Sequence, residues 1–350
     1  MKKFYTTFNY KMRNRRRSIN AINKKKKRKD KLYVFISTNN KTDESKLSNT
    51  SPPVIPIKAP DDFSLINNTE ATIRYFNSAQ AELKKHNRIL FDISHIKTLT
   101  TDAIAVQIAK IKDTSFHKNN GILGNGPNDK NLNKLFLQSG FYDYVNTNGQ
   151  KPINNKKLLI HEITNNRVEP DIAKNACLLG LKHTFGNEYI FEPLYDILIE
   201  VMQNTNNHAG NTRGIYDWWL HVYNHEDSSK TSYTFLDLGV GIFESLPVQS
   251  YKRDFLELLG LSSNLDLVPK LFAGEIKSRT ARPERGKGIP QVFECAQDKT
   301  FDKFILISND IYADLKNKIY KRMSADFIGT LYYWEIANNN EILIENENEN

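Results

Sequence analysis

The stretch IFEPLYDILIEVMQNTNNH, residues 190–208, restricts the fold more than any other part of the chain. Leu194, Ile197, Leu198, Val201 and Thr205 recur at three- and four-residue spacing, which predicts an α-helix with one inward stripe. Beside that stripe runs a polar row. Glu200, Asn204 and Asn207 stand at i, i+4 and i+7, with His208 next, so Glu200 and Asn204 project together from one face. A carboxylate and an amide oxygen placed this way suit a magnesium–triphosphate site. Mg²⁺ takes one or two protein oxygens and leaves the rest to water and phosphate. The carboxylate can take a proton from an attacking water. The same row also reads as an ordinary solvated helix face.

Two glycine-bearing turns bear on that choice. In DLGVGI (237–242), Asp237 closes a predicted strand and is followed by Gly239 and Gly241. Glycines allow backbone to approach a flat ligand, and a buried carboxylate can accept from an exocyclic amine such as adenine's. In ERGKGIPQV (284–292), Arg285, Gly286, Lys287 and Gly288 precede a helical segment. Free N–H groups at a helix start would face phosphate oxygens there. Each pattern alone is weak, but their fixed order on helix, strand end and loop strengthens all three.

Other segments supply the framework. RILFDIS (88–94) and GILGNGP (121–127) predict short strands, and TTDAIAVQIAKIKD (100–113) and NDKNLNKLFLQSG (128–140) predict helices. FYDYV (141–145) is expected to be a last short strand of this α/β unit, a helix is expected over 167–182, and SYTFLDLGVGI (232–242), FDKFILIS (301–308) and TLYYWEI (330–336) predict further strands. The prolines of SPPVIPIKAP (51–60) predict an extended linker, so folded sequence is expected from about Asp61.

The net charge of +9 is a property of one end. Residues 1–31 hold 14 Lys/Arg against Asp30 alone, so the remainder sums to about −4. Such a tail cannot bury apolar area. It reads either as a salt-sensitive attachment to nucleic acid or as a solvated end. No apolar run approaches the roughly 18 residues that span a bilayer, and no apolar core follows the basic residues, as a secretory signal requires. With Cys177 and Cys295 far apart, the chain is expected to be cytoplasmic, with reduced thiols.

Residues 190–336 resemble the GHKL ATPase domain of gyrase, the ninety-kilodalton heat-shock chaperones, histidine kinases and MutL. EVMQNTNNHA resembles the family's N-box, DLGVG and RGKGI its two glycine boxes, and FIGTLYYWEI (327–336) its closing Gly-Thr strand. The resemblance implies ATP and Mg²⁺ as cofactors, with Asn204 on the metal, Asp237 on adenine, and Gly239, Gly241, Gly286 and Gly288 shaping the pocket. It implies that Glu200 polarises water, and that residues 243–284 form a lid from which Lys277, Arg279 or Arg282, or Arg285 just beyond it, reach phosphates. Residues 88–145 resemble a STAS domain through FDISHIKTLTTDAIAV, with Asp102 where that family carries its phosphorylatable serine. Asp102 reads as a helix cap or as a permanent phosphate mimic.

The expected fold class is therefore α+β: a small STAS-like α/β domain, then a GHKL-type α/β sandwich with a mixed sheet covered by helices. The expected divisions are a tail and linker (1–60), the STAS-like domain (61–150), a connecting helix region (151–185), the ATP-binding domain (186–340) and an acidic, disordered end (341–350). The expected activity is ATP hydrolysis driving a conformational switch, in a protein that can dimerise and engages a protein partner. The alternatives are a serine/threonine kinase acting on a STAS-type partner and an ATP-gated adaptor that does not hydrolyse. A sensor histidine kinase is disfavoured, because a phosphoacceptor hairpin would barely fit between His161 in HEIT and Asn204 and no membrane segment is expected.

Overall fold

The computed structural model describes residues 53–85, 87–113, 121–145, 158–164, 168–208, 216–226, 228–246, 263–276 and 288–338. Of 158–164, 206–208 and 216 it describes the backbone alone. The basic tail and the acidic end lie outside these residues. No helix among them is long and apolar enough to cross a membrane.

The chain is α+β, and its parallel and antiparallel pairings fall in separate sheets. The N-terminal part starts with β1 (Val54–Lys58), which pairs in parallel with β3 (Arg88–Asp92), as does β5 (Ile122–Gly124). A small parallel pair joins β2 (Asp62–Phe63) to β4 (Thr98–Leu99). Helices α1 (Thr69–Lys84), α2 (Thr101–Lys112) and α3 (Lys130–Gln138) pack around them.

Three expectations fail here. The supposed linker contains β1, because Pro56 lacks only a donor and β1 is an edge strand, where proline is tolerated. FYDYV forms a 3₁₀ turn at Phe141–Asp143 after Gly140, whose φ of 90° reverses the chain. Asp102 is not the helix cap, and the residue read as a permanent phosphate mimic lies in the interior. Thr100 occupies the N-cap of α2, and the Asp102 carboxylate is fully buried, accepting from Leu65 N–H at 2.7 Å.

The C-terminal part is built on one five-stranded sheet. Its strands are β6 (Leu158–Thr164), β7 (Tyr216–Asn224), β8 (Lys230–Asp237), β9 (Phe301–Asp314) and β10 (Ile319–Ala337), in the order β6-β7-β8-β10-β9. Every neighbouring pair is antiparallel, so this sheet is not mixed as expected. The sheet also starts earlier than residue 186, since β6 contains the HEIT stretch. On one face lie α4 (Pro170–Phe185), α5 (Glu192–His208), α7 (Asn264–Phe272) and α8 (Gly288–Cys295); α6 (Ile242–Ser245) is a single turn after β8. The predicted stripe of α5 is buried throughout. Helix α4 lies so close that Tyr233 donates to Ala176 C=O at 3.2 Å, and a Cβ at Gly180 would stand 1.8 Å from that hydroxyl. Cys177, on α4, and Cys295 are both free.

The other face of the sheet carries the N-terminal part. Strand residues alternate between two cores: Trp218, Phe235, Leu306, Tyr332 and Trp334 meet the helices, while Trp219, Leu236, Ile305, Ile307, Leu331 and Tyr333 share a core with Ile104, Phe91 and Phe76. Beyond the main sheet the β9–β10 ribbon has an irregular register between Arg322 and Phe327. There Met323, Ala325 and Phe327 enter the N-terminal core, Arg74 and Glu70 bond to Ser324 Oγ, and Asn77 Nδ2 donates to Asp326 C=O at 3.1 Å.

Candidate functional site

Helix α5 leans on the sheet through its apolar stripe, which leaves Glu200 and Asn204 at its flank and Thr205 beneath. Opposite stands α8, whose first residue is Gly288. A Cβ there would lie 2.4 Å from Glu200 Oε2 and 3.1 Å from Asn204 Oδ1. The two helices therefore meet at a glycine, with the Glu200 carboxylate beside the first residue of α8. One turn earlier Asp196 accepts from Gln291 Nε2 of α8 at 3.3 Å. Burial, and secondarily Asp196, raises the Glu200 pKa.

Asp237 closes β8 beneath the same helix. Its carboxylate is buried, accepting from Gly239 N–H at 2.8 Å and from Thr205 Oγ1 at 3.5 Å. Burial pushes its pKa up to about 7, against the lowering effect of those two bonds. In the sheet, Asp237 lies between Trp218 of β7 and Thr330 of β10, and Thr330 in turn pairs with Ser308 of β9.

The turn after Asp237 is locked by β9. Ser308 Oγ accepts from Ile242 N–H at 2.8 Å and donates to Gly329 C=O at 3.0 Å. Asn309 Oδ1 accepts from Phe243 N–H at 3.0 Å, while its Nδ2 donates to Val240 C=O at 2.9 Å. Gly241 has φ +85°, and a Cβ on it would sit 2.5 Å from Asn309 Oδ1. Gly329 has φ +117° and presses against the backbone of Asp237, 2.1 Å from its oxygen if a Cβ were added.

Glu200, Asn204, Asp237, Gly239, Gly241 and Gly288 are thus brought to one end of the sheet, around α5. The side chains of Asn207 and His208, and all of Arg285, Gly286 and Lys287, lie outside the described residues, as do Lys277, Arg279 and Arg282. Of the expected lid, α7 is a helix with a capping box at Ser263 and Asp266, seated on the core through Leu267, Val268, Leu271 and Phe272. The contacts of Thr205, Ser308 and Asn309 were not expected from sequence. Thr205 was legible as a polar residue inside an apolar stripe; the others acquire their roles from strand pairing.

Three buried polar atoms around this cluster have no hydrogen-bond partner among the described residues: Asn204 Nδ2, Trp218 Nε1 and Tyr332 OH. Each such group needs a water, an ion or a ligand to satisfy it, and other buried polar atoms, among them Gln107 Nε2 and Trp334 Nε1, stand in the same state elsewhere. Among the described residues no group of three His, Cys, Asp or Glu side chains could hold a metal by itself. No protein-family model matches the chain, and no curated protein matches it.

Proposed function

We propose that this end of the sheet binds ATP with Mg²⁺ and that the protein is an ATPase whose turnover drives a conformational switch. The reading takes the C-terminal part as a GHKL-type ATP-binding domain and the N-terminal part as a STAS-like regulatory unit of a cytoplasmic protein. One observation carries it: three patterns far apart in sequence meet on α5. Gly288 abuts Glu200 and Asn204, while the hydroxyl of Thr205, the residue after Asn204, stands 3.5 Å from the Asp237 carboxylate.

In this reading Asp237 accepts from the adenine amine, as a buried acceptor at a glycine turn can. Asn204 would hold Mg²⁺ through its amide oxygen, while its buried Nδ2 has no hydrogen-bond partner among the described residues. The ion would neutralise phosphate charge. Glu200, with its raised pKa, takes the proton of the attacking water. The N–H groups opening α8 face the phosphates.

The test is titration calorimetry with MgATP followed by a phosphate-release assay on wild type and Glu200→Gln. Wild type is expected to bind and slowly release phosphate. The variant should bind with similar affinity and lose about 10²-fold or more in turnover. Wild type indifferent to millimolar MgATP would sink the reading. Label passing to a protein partner, with no free phosphate, would replace the ATPase with a kinase.

A further inference from the structure

We propose that Tyr332 is a specificity-determining residue of the site, its phenol hydroxyl hydrogen-bonding the base of the bound nucleotide beside Asp237. The inference rests on the nucleotide reading above and adds a contact to it.

Tyr332 stands two residues beyond Thr330 on β10, so the two share the helix-side face. Thr330 is paired with Asp237, and Tyr332 with Phe235 just behind it. The ring is packed under α5 in the same core as Val201 and Leu198, and only 3% of the residue is exposed. Its hydroxyl has no partner among the described residues. Burial first, then the Asp237 and Glu200 carboxylates, raise the phenol's pKa.

Phenylalanine would fill this space equally well. The hydroxyl adds nothing to packing, and burying it unpaired is unfavourable. Its position gives it a use. A neutral phenol donates and the Asp237 carboxylate accepts, so together they offer a donor beside an acceptor. The ring nitrogen and adjacent amine of adenine present the complementary pair. Trp218, the register neighbour of Asp237 on β7, carries a buried indole N–H that likewise has no partner among the described residues.

Calorimetry of wild type and Tyr332→Phe with MgATP and, separately, with adenosine tests the assignment. Tyr332→Phe is expected to weaken both ligands by the same factor, about fivefold to tenfold, the worth of one hydrogen bond. The ligand-free variant should melt at or above the wild-type temperature. Unchanged affinity for both ligands would overturn the proposal while leaving the nucleotide reading intact. So would a loss confined to MgATP, which would put the contact at the phosphates, or a lower melting temperature with unchanged binding, which would make the hydroxyl structural. Wild type that binds neither ligand removes both readings together.

Discussion

Gly329 and Gly288 both lack room for a side chain, and the difference between their neighbours separates stability from binding. At Gly329 the obstacle is the Asp237 backbone and φ is +117°, so nothing can yield cheaply. Gly329→Ala is expected to lose about 2–4 kcal/mol in urea unfolding. At Gly288 the neighbours are the movable ends of Glu200 and Asn204. Gly288→Ala should cost less than about 1 kcal/mol of stability, yet weaken MgATP about tenfold or more by displacing both groups. A stability loss at Gly288 equal to that at Gly329 would contradict this. Two buried aspartates add a pH dependence. Burial raises Asp102 to about 6 and Asp237 to about 7, whereas unfolded aspartate titrates near ~4. Between those values the native state holds protons that the unfolded chain has released, so stability falls as pH climbs from about 4 to about 7. Denaturation from pH 4.5 to 8 should show this slope, and Asp102→Asn with Asp237→Asn should flatten it. MgATP affinity should rise through pH 7, as Asp237 becomes the ionised acceptor.

Between elements, the close approach of α4 to β8 sets helix propensity against packing. Alanine exceeds glycine by about 1 kcal/mol in a helix interior, but at Gly180 its methyl would strike the Tyr233 hydroxyl. Overpacking of this kind costs about 1–3 kcal/mol, so Gly180→Ala is expected to lower the melting temperature. Adding Tyr233→Phe should recover part of the loss. The strength of local patterning decided what could be read from sequence. α5 was legible because one flank stays polar, and β3, β5 and β8 because turn residues bound them. β7 was not, since Trp218, Trp219, Leu220 and Val222 are buried on both faces and the period-two contrast disappears. β1 was hidden by prolines that an edge strand tolerates. Glu200, Asn204, Asp237 and Gly288 were legible from spacing within short motifs. Ser308, Asn309 and Tyr332 were not, because strand register, absent from any local window, gives them their neighbours.

At the scale of the molecule, the five-stranded sheet is covered on both faces, by helices of its own part and by the N-terminal part. Residues 158–338 expressed alone would expose Trp219, Leu236, Ile305, Ile307, Leu331 and Tyr333 together, a patch of the kind that drives association. That fragment is expected to bind a hydrophobic dye and aggregate in light scattering, and co-expression with residues 53–145 should restore a monodisperse species. A soluble, dye-silent fragment would show that the two parts are separable. β10 runs through the middle of this arrangement. Thr330 and Tyr332 look toward α5, Leu331 and Tyr333 look toward the N-terminal core, and the same strand reaches the Ser324 bonds to α1. It serves as a party wall between two rooms, and a push on either side has one peptide's thickness to cross before the other side feels it.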